Sequence, residues 1–230
     1  MLALLLFMLV ASSLHVRASS YLLRSNRRVQ ILSMSSTSFF HAQRTVLVPI
    51  ATGTEEIEAV TIIDTLVRAG AKVTVANANA DSKYDSEIVT CSRGVKLVAD
   101  CPVSSCLGQS WDAIILPGGM PGATNLNCNE HLAHLLKQQR KDGLLYGAIC
   151  AAPAVVLAAQ GLLQDRKATC YPAEKFSSML PSIGEGRVVV DQNCVTSAGP
   201  GTSLEFSLEI VKLLYGEEKK QALAKEMLLM

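Results

Sequence analysis

No aspartate or glutamate occurs among the first 54 residues of this 230-residue chain, and that absence divides the sequence in two. The same stretch carries Arg17, Arg24, Arg27, Arg28 and Arg44. With the four arginines before position 44 set aside, 17 basic side chains face 20 acidic ones, so the remainder is mildly acidic. That balance gives no electrostatic footprint for nucleic acid or any other polyanion. There is also no C-x-x-C pair among the seven cysteines and no histidine at zinc-ligand spacing beside them, which argues against a structural metal site or a disulfide framework. A domain of this size needs no staples, so most of the cysteines read as small buried hydrophobes in a reducing compartment. No apolar run reaches the length of a membrane span; the longest candidate, Leu2 to Val10, has the length of a signal-peptide core. Neither a Walker loop nor G-x-G-x-x-G appears, so a phosphate-binding reading of the glycine-rich stretch at 117–122 is weak.

What is present first is a leader. Small residues Ala11, Ser12 and Ser13 follow the apolar run, and 17–43 is rich in Ser and Arg and free of acid. Residues 1–43 therefore read as a removable targeting segment, suited to a plastid or a mitochondrion. Translation from Met34 would instead leave a cytoplasmic product. No stable membrane anchor is expected.

Residues 44–230 read as one α/β domain, at 49% hydrophobic and 18% charged over the whole chain. Val46–Ile50 is an apolar strand, followed by a helical pattern over Glu55–Ala69 that ends at Gly70. Ala71–Ala76 is the next strand, Glu87–Val98 a hairpin turning near Arg93-Gly94, and Ala113–Leu116 a buried strand ending at Pro117-Gly118-Gly119. A helix over Asn129–Arg140 precedes the strand Leu144–Ile149. That strand runs into Cys150 and a helical stretch, Pro153–Gln160, stopped by Gly161. Late strands at Val188–Val190 and Cys194–Thr196 and closing helices at Leu204–Tyr215 and Lys219–Leu229 complete the pattern. The alternation argues a mainly parallel sheet with helices on both faces.

Cys150 occupies the address where doubly wound sheets bind ligands, outside the carboxyl end of a strand. Its neighbours in Gly147-Ala148-Ile149-Cys150-Ala151-Ala152-Pro153 are small, as a sharp nucleophile-bearing turn requires, and a helix start just after it favours thiolate. A buried cysteine ending a core strand fits the same spacing. In Glu55-Glu56-Ile57-Glu58, acids in a first helical turn are favoured by the helix dipole alone. Glu58, however, shares a face with Ile62 and Leu66 and can point inward, where a desolvated carboxyl stays protonated and donates to a thiolate. The glycines of 117–122 can present a backbone N–H to an oxyanion.

Taken together, Glu55 to Glu58, Pro117 to Gly122, Ala148 to Pro153 and the Thr196-Ser197-Ala198-Gly199-Pro200-Gly201-Thr202-Ser203 stretch closely resemble the DJ-1/PfpI family, in its Parkinsonism-associated deglycase branch. The resemblance runs from about Arg44 to the C-terminus. It implies the flavodoxin-like sandwich of the class I glutamine amidotransferase superfamily and a homodimer. It makes Cys150 the nucleophile, Glu58 the carboxylic acid that contacts it, and Gly119 and Ala151 the backbone donors of an oxyanion hole. Tyr171 stands where many members carry a histidine, which speaks against a Cys-His-acid triad, since His131 and His134 read as solvated helix residues. Ala198 replaces a pocket arginine, while Arg93 matches a second one. The activity implied is that of an enzyme with no cofactor and no metal. Its substrates would be reactive dicarbonyls such as methylglyoxal and glyoxal, or their early adducts with amines and thiols, so that it protects against carbonyl and oxidative stress. The alternative is a non-enzymatic redox sensor and chaperone that works by oxidation of Cys150.

Overall fold

The computed structural model describes residues 43–79 and 87–230, so the expected leader, but for residue 43, lies outside the described residues. The strands are β1 (Thr45–Ile50), β2 (Lys72–Asn77), β3 (Ile88–Thr90), β4 (Lys96–Val98), β5 (Cys101–Pro102), β6 (Ala113–Leu116), β7 (Leu145–Ile149), β8 (Val188–Asp191) and β9 (Cys194–Ser197). The helices are α1 (Glu56–Ala69), α2 (Gly122–Asn127), α3 (Glu130–Lys141), α4 (Glu174–Ser177), α5 (Ser203–Tyr215) and α6 (Glu217–Glu226).

Seven strands form one sheet in the order β5-β2-β1-β6-β7-β9-β8, and β8 alone runs antiparallel to its neighbour. Numbered among themselves, the five central strands stand in the order 2-1-3-4-5, the flavodoxin-like arrangement. Helices α1, α5 and α6 pack on one another, while α2 and α3 group with the segment after β7, so both faces are covered. Double-sided cover explains the strand compositions: β6 is Ala-Ile-Ile-Leu, buried throughout, and β1 is buried from Val46 to Ile50. Between β1 and β6 the strand order reverses, and this is the switch point where loops part and leave a crevice.

Most of the expected elements stand within a residue or two of their places. Helix α1 begins one residue late because Glu55 is its cap, the side chain accepting the Glu58 N–H at 2.8 Å. Gly70 ends the helix with φ of 100°, its N–H directed at the carbonyls of Leu66 and Val67. The hairpin turns at 91–95, closed by the Cys91 N–H to the Val95 carbonyl. The helical stretch expected over Pro153–Gln160 is present as a π-helical segment over Pro153–Ala158. Gly161, at φ of 71°, closes the run, and the Leu162 N–H just past it reaches back to the Leu157 carbonyl as a glycine cap does. Strand β5 and helices α2 and α4 were not expected; two to six residues carry too little periodicity to be read.

Candidate active site

Three chain segments converge at the carboxyl ends of β1, β6 and β7. The first is 51–58, leading into α1. Thr54 Oγ accepts the Ala51 N–H at 3.0 Å and tightens the turn. The three acids that follow have separate partners: Glu55 caps α1, Glu56 accepts from Ser92 Oγ at 2.8 Å and the Arg93 N–H at 2.7 Å, and Glu58 turns inward. Glu58 is wholly buried, and its Oε2 accepts the Gly118 N–H at 2.7 Å. Its other oxygen, Oε1, is buried without a conventional hydrogen-bond partner, and the Cys150 thiol stands close enough for each group to shift the other's titration. Burial pushes the Glu58 carboxyl up to about 7, against the pull of the Gly118 N–H.

The second segment is the glycine-rich loop after β6. It interlocks with the first: the Glu55 N–H donates to the Gly118 carbonyl at 3.0 Å. A Cβ on Gly119, whose φ is 91°, would stand 2.5 Å from the Gly53 carbonyl oxygen and the Glu55 nitrogen. On Gly118 it would stand 2.7 Å from the Ile149 oxygen and 2.8 Å from the Cys150 Cβ. Glycine is required at both positions because two backbones pass within contact distance.

Cys150 is the third component. Its φ is 63°, a left-handed conformation that costs a side-chain-bearing residue about 1–2 kcal/mol and marks an enforced turn. Two hydrogen bonds hold it there, from the Cys150 N–H to the Ser197 carbonyl at 2.9 Å and from the Tyr171 N–H to the Cys150 carbonyl at 2.8 Å. The backbone N–H groups of Gly119 and Ala151 lie near enough to the sulfur to pull its titration down. The thiol is not, however, biased toward thiolate as the turn alone suggested. Burial pushes it up to about 12, the Glu58 charge adds to that, and the two N–H groups only offset part of it. The physical reason is that the sulfur is desolvated and faces a carboxyl. The segment behind it is also a short π-helical turn that supplies little dipole.

Of the residues singled out from sequence, Cys150, Glu58, Gly119 and Ala151 meet at one point. Tyr171 joins them through its backbone, and its half-exposed ring lies edge-on to Phe176 and beside Gly199. The Arg93 backbone is clamped by Glu56 next to the site, while its guanidinium is exposed and reaches only the Ser92 carbonyl. His131 and His134 are exposed on α3. Among the described residues no three His, Cys, Asp or Glu side chains gather as a metal site requires, and no helix is long and apolar enough to cross a membrane. Two contributors had no role assigned from sequence. Gly118 orients Glu58, and a glycine directly after a buried strand was the available signal. Ser197 holds the elbow through a backbone carbonyl, which leaves no trace in residue type.

The chain's relatives bear on its family and its fold. The DJ-1/PfpI family model matches residues 44–213. The chain is 48% identical over 186 residues to Protein DJ-1 homolog B of Arabidopsis thaliana, covering 81% of this chain but 41% of that longer protein. It is 38% identical to the Caenorhabditis elegans protein named glutathione-independent glyoxalase DJR-1.2, over 76% of this chain and 90% of that one. Among solved structures, oxidized Toxoplasma gondii DJ-1 superimposes with a TM-score of 0.76 at 46% identity, covering 80% of this chain and 98% of that one. By the family model over residues 44–213 and these identities, the chain belongs to the DJ-1/PfpI family.

Proposed function

We propose that this protein is a cofactor-independent cysteine enzyme that acts on small reactive dicarbonyls, methylglyoxal and glyoxal, or on their early adducts with amines and thiols. The observation that carries this reading is the convergence on one sulfur of a buried carboxyl and two backbone N–H groups. The Cys150 sulfur attacks the aldehyde carbon, and its proton passes to the Glu58 carboxylate. The N–H groups of Gly119 and Ala151 take up the developing oxyanion. A carboxyl that titrates near 7 both accepts and returns a proton at neutral pH, as the subsequent rearrangement of the adduct to a hydroxyacid requires. Methylglyoxal plus one water balances to 2-hydroxypropanoate and one proton, with no external electron carrier. The glyoxalase name of the nematode relative supports the same substrate class. Tyr171 in the place of a histidine, with both described histidines exposed, speaks against a Cys-His-acid triad.

The test compares purified wild type with Cys150→Ser on methylglyoxal. The change is nearly isosteric, so circular dichroism and melting stay as they were while turnover is lost. Retention of most of the activity in Cys150→Ser removes the mechanism.

A redox role for the same sulfur is the second reading, favoured by the unpartnered Glu58 Oε1 beside it and by a relative solved in an oxidized form. A protonated Glu58 donates to a sulfinate oxygen, so mild peroxide adds oxygen to Cys150 ahead of the other cysteines. A homodimer and import into an organelle belong to this proposal as well. The first rests on exposed apolar residues of α1 and the hairpin, the second on the acid-free leader composition.

A further inference from the structure

Two of the seven cysteines lie side by side far from Cys150. Cys101 opens the edge strand β5, and Cys106 ends the 3-10 turn Val103–Cys106 that follows it. The chain reverses between them over Pro102-Val103-Ser104-Ser105, held by the Ser105 hydroxyl donating to the Pro102 carbonyl at 2.8 Å. Their sulfurs are 3.7 Å apart. That is contact distance for two thiols, and side-chain rotation of modest size brings it toward the bonded length of about 2.05 Å. Cys101 is half-buried and open to small molecules, whereas Cys106 is wholly buried against its neighbour. Strands β2, β1 and β6 stand between β5 and β7, which at the usual spacing puts this pair about 19 Å from the Cys150 strand.

We infer that Cys101 and Cys106 form a second thiol site, a dithiol that exchanges with low-molecular-weight disulfides and closes to an intramolecular disulfide independently of Cys150. Half-exposed Cys101 attacks a small disulfide RSSR as its thiolate, forming a Cys101–SR mixed disulfide and releasing one RSH. Cys106 then attacks the Cys101 sulfur, the S–SR bond breaks, and the leaving thiolate takes the Cys106 proton as the second RSH. Two protein thiols are oxidised, one RSSR is reduced to two RSH, and no other reactant is needed. Burial pushes the Cys106 thiol up to about 12, so the second step is the slower one and accelerates with rising pH.

The test titrates the full chain and its Cys150→Ser variant with oxidised glutathione at about pH 8. After acid quenching and alkylation, the protein is cleaved before aspartate. Cleavage isolates Asp100–Trp111, whose cysteines are Cys101 and Cys106. The expected product is this peptide lighter by two hydrogens, about 2 Da, in both proteins and restored by dithiothreitol. In Cys106→Ser the same peptide instead retains one glutathione on Cys101. The inference is overturned if the peptide stays a dithiol through a titration that glutathionylates exposed Cys128. It is overturned equally if wild type accumulates the glutathione adduct on Cys101 without closing the disulfide, or if closure disappears in Cys150→Ser.

Discussion

Glu55, Glu56 and Glu58 sit within one turn of α1 and have three different fates, although composition treats them alike. Only Glu58 is directed at the sulfur, and its elevated titration couples catalysis to stability. Folding raises this carboxyl from an ordinary 4.5 to about 7, so the folded state binds the proton more tightly than the unfolded chain. The contribution of this group to stability is therefore fully present below about 4.5, is lost as pH rises through about 7, and amounts to roughly 3 kcal/mol once the buried carboxylate is charged. Glu58→Gln removes that slope: urea denaturation at pH 5 and pH 8 gives a gap between the two conditions that shrinks relative to wild type. The same substitution abolishes proton exchange at the reacting carbon, so methylglyoxal turnover falls about 10²–10⁴-fold. Iodoacetamide trapping of Cys150 moves to lower pH, because burial still holds the thiol up but the carboxylate charge that adds to it is gone. Unchanged turnover in Glu58→Gln takes this residue out of the mechanism.

The β3-β4 hairpin shows how an element outside the main sheet comes to matter for the site. Backbone bonds tie it to the α1 entry, from the Gly53 N–H to the Thr90 carbonyl and from the Ser92 N–H to the Thr54 carbonyl, and Glu56 adds two more across its tip. Burial pushes the Glu56 carboxyl up, but the bonds from Ser92 and the neighbouring backbone outweigh it and hold the group below 4.5. Its contribution is thus present above the ordinary carboxylate range and lost as pH falls. Glu56→Ala is expected to destabilise the domain by about 1–3 kcal/mol at pH 7 and by less at pH 3, read by denaturant unfolding. Hydrogen exchange at Ser92 and Arg93 should rise with it, and unchanged protection there would show that the clasp holds nothing. From sequence, the strands, the hairpin and its turn were legible, because apolar runs bounded by glycine report burial directly. Four of the site residues were legible through motif order. The division of labour among the three acids was not, since helical spacing places Glu58 on a face without saying what stands opposite. The upward push of burial on the thiol was equally hidden, because desolvation depends on packing that no local pattern encodes.

At the scale of the whole domain, several of the exposed apolar side chains among the described residues lie on α1 and the hairpin. On α1, Ile57, Val60 and Val67 follow a helical stripe and are exposed, Ile57 to 57%. On the hairpin, Ile88 and Val98 are directly paired across the strands and also exposed, Val98 to 63%. The Glu56 clasp ties the helix to the hairpin tip, so these five exposed β-branched side chains belong to two connected elements. Isolated exposed apolar residues are ordinary, but a grouped set on a rigid helix and its attached hairpin has the composition of an interface centre. A two-fold homodimer buries the same patch from both copies at once and leaves no open end for further growth. Light scattering after size exclusion should give twice the monomer mass for the domain at micromolar concentration. Val60→Lys places a charge in the middle of the stripe without touching Glu58 or the α1 core residues Ile62 and Leu66. It should shift the species to monomer with little change in melting at matched low concentration. A wild-type monomer, or a Val60→Lys protein that still runs as a dimer, would mean that this face is covered by something other than a second copy.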